Sequence, residues 1–323
     1  MNSKKLSLII STPLLALPFT QLYAGGGGSN SHLYGMEVET VSTSSDFERH
    51  SINLNYGASE QGQIGFGGKA AHHRIENEHT SYRANEVKIR TGQNFNDTLY
   101  VEGGIGASRL KSNGKHQSEN LTTYQVGARA NLNPQISVGI QHEKDFAYKS
   151  QVLANQYGQI LNAKTTKADV KYRPTKRIRI EADRTHRKFS DDNSSDGYKV
   201  GAYYGISPSW PYIWAGVEHT TLDFEHQDDG YWTPGNHRST AATFTASFPV
   251  NDQLSMNSSL SVSRSKDDAS NDYGTGYYAS VGADLKLSPN SSLTANAHHI
   301  KSKQDDSDWD ETGANIGLKF NHY

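Results

Sequence analysis

Apolar and polar residues alternate along this chain with a period of two. Segment 277–287 shows it plainly, since Tyr277, Ala279 and Val281 alternate with small or polar residues, and 242–250 and 124–132 repeat the pattern. Successive side chains of a β-strand point to opposite faces, so this alternation predicts strands with one apolar face and one wettable face. No stretch has the periodicity of a helix.

Alternating segments fill most of the chain and predict an all-β fold. The sixteen segments are 32–44, 48–58, 63–76, 79–92, 98–111, 118–132, 136–149, 161–173, 178–190, 195–206, 212–225, 237–249, 254–266, 273–287, 292–304 and 309–323. Tight turns with Pro or Asn, such as those at Pro134, Pro174 and Pro289, alternate with longer acidic loops. The loops lie around Asp191, Asp228, Asp267 and Asp305.

An even number of strands, with short connections at one rim and longer ones at the other, is typical of an outer-membrane barrel. We therefore predict a transmembrane antiparallel β-barrel of about sixteen strands over 32–323, in the bacterial outer membrane. Outer-membrane lipid and lipopolysaccharide would surround it. With a periplasmic N-terminus, the tight turns face the periplasm and the acidic loops face outside. A soluble β-sandwich or β-solenoid is the alternative, but it would need more Leu, Ile and Val.

Composition agrees with a wet interior. Mean hydropathy is -0.74 and apolar residues make up 34%, which is little for a large dry core. The 18 Tyr, 10 Phe and 4 Trp residues argue against disorder. A net charge of -2 gives no support for nucleic-acid binding. The absence of Cys excludes disulfides, thiol chemistry and a lipoprotein anchor.

The N-terminal segment resembles an export signal. Lys4 and Lys5 precede an apolar run over 6–19, and Ala24 supplies the small residue at which a signal peptidase cleaves. Residues 1–24 are therefore predicted to be a signal peptide, and the glycine-rich residues 25–31 a flexible lead.

The face opposite the apolar one is predicted to line the lumen. Candidate lining residues are Glu86, Lys88, Arg90, Tyr100, Glu102, Arg129, Lys167, Asp169, Lys171, Arg173, Arg179, Glu181, Asp183, Tyr203 and Tyr278. Acids and bases nearly cancel, which favours a pathway for an uncharged or mixed-charge hydrophilic substrate. The densest charges lie on 161–173 and 178–190, where opposite charges are expected to pair across the two strands. The alternative is that such pairs only stiffen the wall. The inward tyrosines are compatible with stacking on sugar rings.

Catalytic motifs are weak. The pairs His72-His73 and His298-His299 lie within strands, where neighbouring side chains point to opposite faces, so neither pair holds one ion with both rings. The sequence has no Gly-x-Ser-x-Gly elbow, zinc-ligand spacing or phosphate loop. We predict no enzyme, no metal site and no cofactor. A lipid-acting barrel enzyme remains the alternative from another class.

A short motif follows the eleventh segment. Tyr231, Trp232, Thr233 and Pro234 resemble a stretch that opens a late strand in the C-terminal porin domain of exopolysaccharide (cellulose or poly-N-acetylglucosamine) export subunits. The resemblance implies polysaccharide export across the outer membrane. Those subunits carry a helical-repeat region that this sequence lacks, so a separate periplasmic repeat protein and a polysaccharide synthase would be partners. A general diffusion porin and a structural surface barrel remain alternatives.

Overall fold

The computed structural model describes residues 32–44, 46–57, 65–76, 80–95, 98–113, 118–147, 160–228, 230–268, 272–304 and 307–322. The predicted signal peptide 1–24, the lead 25–31 and the terminal Tyr323 lie outside the described residues. None of the described residues forms a helix long and apolar enough to cross a membrane.

Within the described ranges, sixteen strands form a closed antiparallel barrel. They are β1 (His32–Thr43), β2 (Glu48–Gly57), β3 (Gly65–Glu76), β4 (Ser81–Asn94), β5 (Leu99–Ser112), β6 (Ser118–Asn133), β7 (Ile136–Phe146), β8 (Asn162–Thr175), β9 (Ile178–Phe189), β10 (Ser194–Ser207), β11 (Tyr212–Phe224), β12 (His237–Pro249), β13 (Leu254–Lys266), β14 (Gly274–Ser288), β15 (Ser291–Gln304) and β16 (Ser307–His322). The predicted fold is confirmed, and strand bounds differ from the predicted ones by at most three residues.

Closure joins the first strand to the last. β1 pairs with β16 from His32 opposite His322 to Thr43 opposite Glu311, without a register shift. Every strand therefore has two hydrogen-bonded neighbours, and the sheet has no free edge. A closed sheet also satisfies its backbone polar groups inside lipid, where water cannot.

The outward face is apolar and exposed. Val170, Leu260 and Ile316 are 45%, 53% and 51% exposed, and they belong to a continuous band of such side chains around the barrel. Apolar area on this scale needs lipid rather than water around it. Together with the barrel architecture, this band places the chain in the bacterial outer membrane.

The tight turns lie at one rim, which we call the turn end. Several are stabilised by a side chain of the turn itself: Asn133 Oδ1 accepts hydrogen bonds from the amides of Gln135 and Ile136 at 2.8 and 2.9 Å. Asn251 and Thr175 bond their turns in the same way. Register shifts occur beside four of these turns and nowhere else in the described pairings. The inward and outward faces are therefore kept along the membrane-spanning part of each strand.

The opposite rim, which carries the two longest connections, 147–161 and 225–236, is the loop end. Aromatic side chains surround the outer face at the turn end, as Tyr34 beside Tyr56 illustrates, with ring centroids 5.0 Å apart. On the loop-end side, five histidines of the outer face are each bonded to a Thr or Asn across the strand pair. The pairs, all between 2.8 and 3.1 Å, are His50–Thr40, His72–Asn85, His142–Thr166, His219–Thr240 and His299–Thr312. We call these the histidine girdle.

Two neighbouring residues of β13 point to opposite faces of the barrel, so a substitution at each of them tests which face meets lipid. Leu260 lies opposite Phe244 and Ala279 on the outer face, whereas Ser259 lies opposite Thr245 and Ser280 on the inner face. Leu260→Arg places a charge in lipid and should lower the free energy of unfolding by about 2–4 kcal/mol. Ser259→Arg, its control, should change it by less than about 1 kcal/mol because the charge stays in water. Urea unfolding in lipid vesicles measures both, and the reverse order would mean that the register is wrong by one residue.

The orientation of the barrel is open to a labelling test. Asp192 and Gln227 are exposed at the loop end, and Gln135 and Asn290 are exposed at the turn end. Since the protein has no Cys, a single cysteine introduced at one of these positions is the one thiol that a labelling reagent can reach. We expect an impermeant maleimide to label Asp192→Cys and Gln227→Cys on whole cells, while Gln135→Cys and Asn290→Cys react only after lysis. Labelling confined to the turn-end pair would invert the topology.

Candidate functional site

The strand pairings determine which side chains face the barrel interior. On β4, Val87 and Ile89 are exposed to 60% and 46% on the outer face, so the alternating Lys88 points inward, opposite Gly106 of β5. Applied to every strand, this rule places all the predicted lining residues on the inward face. They are Glu86, Lys88, Arg90, Tyr100, Glu102, Arg129, Lys167, Asp169, Lys171, Arg173, Arg179, Glu181, Asp183, Tyr203 and Tyr278.

Charge is distributed unevenly around this interior. The inward faces of β12 and β13 carry no acid, lysine or arginine, and consist almost entirely of side chains with hydroxyl groups or amides. Apart from His237 and Pro249 at the two ends of β12, these residues are Ser239, Ala241, Thr243, Thr245, Ser247, Ser255, Asn257, Ser259, Ser261, Ser263 and Ser265. We call them the hydroxyl wall. Sequence reasoning missed this wall because it searched the inward face for charges and aromatic rings, although Ser or Asn at every second position of 255–265 was a readable signal.

The inward faces of β4 to β10 form the opposite side, which we call the charged wall. Its cations and carboxylates approach one another: Arg179 Nε lies 3.3 Å from Glu181 Oε1, and Lys199 Nζ lies 3.9 Å from Asp183 Oδ2. Lys88 reaches Asp145 at 4.0 Å over the intervening strands β5 and β6. The wall therefore neutralises much of its own charge.

The expected pairing of opposite charges between β8 and β9 is wrong for Asp169. Asp169 stands directly opposite Asp183, so two carboxylates face each other where opposite charges were expected. Arg129 of β6 approaches Asp169 at 4.0 Å, whereas Asp183 is attracted both to Lys199 of β10 and to Lys167 of β8. Lys171 does face Glu181, as expected.

Inward glycines explain how charges two strands apart can meet. Arg129 of β6 and Asp169 of β8 both lie opposite Gly139 of β7. A Cβ on Gly139 would come within 2.5 Å of Asp169 Oδ1, so any other residue there would displace the carboxylate. Gly216 leaves room in the same way for the ring of Tyr203. Long side chains therefore lie flat against the wall rather than across the lumen.

Three of the lining residues are part of the wall rather than exposed on it. Arg179 is only 7% exposed, and its guanidinium lies 4.4 Å from the ring centroid of Tyr203 and 5.0 Å from that of Trp214. Tyr203, 8% exposed, donates a hydrogen bond to Glu218 at 2.7 Å. Glu86 is 7% exposed. Because they are covered, these residues have little contact with anything passing through the lumen.

The loop end of the lumen is apolar. On the β3–β6 side, the inward residues Ile75, Tyr82, Leu110 and Leu121 pack with Phe47 from the β1–β2 connection. A second cluster on the β8–β11 side contains Leu161, Ala163, Phe189, Leu222, Phe224 and Tyr231. Apolar side chains that face a wet lumen gain by covering one another. Both clusters therefore narrow the loop-end mouth.

The motif Tyr231–Pro234 belongs to this mouth. It lies in the β11–β12 loop, where Tyr231 packs against Phe189 and Phe224 with ring centroids 5.8 and 6.2 Å away. Its hydroxyl donates to Asp191 Oδ2 at 3.0 Å and accepts from Asn193 Nδ2 at 3.0 Å. Burial, with the nearby Asp191 carboxylate, raises the pKa of Tyr231, so the hydroxyl remains a donor. The motif thus ties the β11–β12 loop to the β9–β10 turn over the lumen.

One group of side chains has the composition of a hydrolase triad. Ser51 Oγ lies 2.8 Å from His73 Nδ1, and His73 Nε2 lies 3.7 Å from Glu86 Oε1. All three residues are inward and buried, with Ser51 only 1% exposed, so a lipid ester outside the barrel has no access to this hydroxyl.

As predicted, the two histidines of each adjacent pair point to opposite faces of their strand. His72 and His73 do so on β3, and His298 and His299 do so on β15. Within the described ranges, no group of three or more His, Asp or Glu is arranged to hold a metal ion.

Comparison with known proteins identifies the fold. No family model and no curated protein sequence matches the chain. A solved structure described as a bacterial polysaccharide outer membrane secretin superposes with a TM-score of 0.73 at 12% identity, covering 92% of this chain and 100% of that one. The CymD monoaromatic hydrocarbon channel superposes with a TM-score of 0.50 at 9% identity, covering 92% and 90%. The chain therefore has the fold of outer-membrane channels, and the resemblance to a polysaccharide-export porin is confirmed at the level of the fold.

The Tyr231 hydroxyl is predicted to hold the β11–β12 loop in place. Tyr231→Phe keeps the ring in its cluster but removes the bonds to Asp191 and Asn193, at a cost of about 1 kcal/mol. Amides of 225–236 should then exchange with deuterium about fivefold faster, because local opening becomes that much more frequent. Tyr277→Phe, on the outer face, is the control and should leave this exchange unchanged. If these amides exchange in Tyr231→Phe at the rate of the native protein, the aromatic packing alone holds the β11–β12 loop in place.

Proposed function

We propose that this protein is an outer-membrane channel that carries an uncharged hydrophilic polymer, a polysaccharide, out of the cell. The hydroxyl wall is the observation that carries this proposal. Along β13, every inward residue from 255 to 265 is Ser or Asn. Ser263 and Ser265 are buried at the loop end, and the four inward residues from 255 to 261 give a row of hydrogen-bonding groups spaced about 7 Å apart along the strand. A sugar polymer presents hydroxyl groups along its whole length and can bond to such a row at many places.

Hydroxyl contacts suit passage better than tight binding. A hydrogen bond between two hydroxyl groups replaces bonds that both already make with water, so its net contribution is only about 1 kcal/mol. Conduction needs binding that is weak and spread over many sites, so that the solute can leave as easily as it enters. The hydroxyl wall meets this requirement, whereas a ring of buried charges would hold an ionic solute.

The charged wall supports the same substrate class. Arg129 with Asp169 and Lys199 with Asp183 compensate each other on the inward face, and Arg179 with Glu181 does so within the wall. Neither an excess of cations nor an excess of carboxylates is left to select anions or cations. The fold similarity to the polysaccharide secretin supports the proposal independently.

Two details extend the proposal along the transport path. Tyr278 lies on β14 beside the hydroxyl wall, opposite Ser261, and offers an aromatic face on which a sugar ring can stack. A channel fed from the periplasm also needs a delivery apparatus. We therefore expect a separate periplasmic repeat protein and a polysaccharide synthase as partners.

A general diffusion porin is the second candidate, because a neutral lumen also admits small solutes. The two functions differ in what the hydroxyl wall contributes. For a polymer track the serines should govern sugar flux. For a diffusion pore only the width should matter, and replacing Ser by Ala leaves the width nearly unchanged.

The double variant Ser259→Ala/Ser261→Ala tests the hydroxyl wall. Loss of two weak contacts, of about 1 kcal/mol each, should lower the flux of neutral oligosaccharides through proteoliposomes severalfold. Potassium conductance in planar bilayers should remain within about twofold, since no charge or bulk has changed. The control is Ser258→Ala, a serine of the same strand that lies opposite Ala246 and Val281 on the outer face. Equal oligosaccharide flux through both variants would favour the diffusion porin.

A further inference from the structure

At the loop end, the outer face carries rows of cationic side chains that stand directly opposite one another on neighbouring strands. Lys164 of β8 stands opposite Lys144 of β7 on one side and opposite Lys188 of β9 on the other. Neighbouring strands lie about 4.8 Å apart, so three ammonium groups fall within a span of about 10 Å. They point outward, because Lys144 alternates in step with Ile140 and Lys164 with Val170, both exposed on the lipid face.

A second row repeats the arrangement. Arg83 of β4 stands opposite Arg74 of β3 and opposite Lys111 of β5, again on the outer face. Like charges placed directly opposite on neighbouring strands are destabilising, whereas an opposite charge there is favourable. Two such rows concentrate positive charge at this rim, and the chain offsets only part of it, with Glu76 beside Arg74 and Glu119 near Lys144.

Elsewhere on the same rim, outward lysines stand opposite carboxylates of the neighbouring strand. Lys301 of β15 stands opposite Asp310 of β16, and Lys303 stands opposite Asp308. Lys301 Nζ also lies 3.6 Å from Asp308 Oδ2. In the part of the chain that the structure describes, no carboxylate comes within salt-bridge distance of Lys164 or Lys188, although Arg74 of the other row pairs with Glu76.

The height of the rows on the barrel indicates what neutralises them. On β7, Ile140 lies in the apolar band, His142 in the histidine girdle and Lys144 in the row, two residues apart each time. Each step of two residues advances about 7 Å along a strand. The cations thus lie just beyond the edge of the apolar band, at the level where lipid headgroups begin.

We propose that these two rows, Arg74–Arg83–Lys111 and Lys144–Lys164–Lys188, bind the phosphate groups of a phosphorylated lipid in the leaflet at the loop end. Phosphate groups of a lipid can contact several cations at once and remove the repulsion between them. Cation clusters at a membrane surface bind anionic headgroups with a gain that increases with each Lys or Arg. With the loop end outside the cell, the lipid belongs to the outer leaflet. The inference does not depend on what crosses the lumen.

Native mass spectrometry of the full protein in detergent tests the proposal, with bisphosphorylated lipid A, the same lipid without its phosphates and inorganic pyrophosphate as probes. We expect the native protein to retain the bisphosphorylated lipid and to lose the phosphate-free one. Lys164→Gln/Lys188→Gln should weaken retention about 30-fold, since two cation contacts are lost. Arg83→Gln/Lys111→Gln should weaken it similarly, which provides a second variant on independent strands.

Lys301→Gln/Lys303→Gln is the matched control, because it removes the same charge from a rim where carboxylates already compensate it. Its lipid retention should stay within about threefold of native. If lipid retention weakens equally in the control and in the row variants, the loss of net charge alone explains the effect and the proposal is overturned. So would equal retention of the phosphate-free lipid, or pyrophosphate binding as tightly as the lipid. Heat-modifiable migration on gels confirms that each variant is folded.

Discussion

Each strand of this barrel separates lipid from water, and the separation depends on a side-chain period of two maintained without a slip around the closed sheet. A shift of one residue would exchange the two faces of a strand. The register shifts of the described pairings all lie beside tight turns, where the strand has already left the membrane. Closure between β1 and β16 then links every strand to two neighbours. The apolar outer band and the polar lumen are two results of the same alternation.

The strands and their facing directions could be read from the sequence because both are local. Alternation within 277–287 needs no knowledge of neighbouring strands, and turn residues such as Asn133 and Asn251 bond their own backbone. Which charges meet is not local. Asp169 finds Arg129 two strands away only because Gly139 lies between them. The alternation placed these charges on the correct face, but it could not predict a partner for Asp169 outside β8 and β9.

The loop-end mouth departs from the simple rule of apolar outside and polar inside. Ile75, Tyr82 and Leu110 face inward and are almost completely buried, since they pack with residues of the connections. The Tyr231 motif belongs to the same layer, and its contacts with Asp191 and Asn193 join parts of the chain about 40 residues apart. A pattern confined to single strands does not contain that information. The mouth was therefore the part of the candidate site that alternation could not predict.

The lumen combines a neutral hydroxyl wall with a charged wall that compensates itself, and this combination suits a long neutral solute. The most direct measurement of that claim is the amount of polysaccharide in the culture medium of a strain that lacks this gene, with and without the gene restored. The account predicts less secreted polysaccharide in the deletion strain and recovery on complementation. Unchanged secretion, with loss of small-solute permeability, would contradict it and assign the barrel to general diffusion.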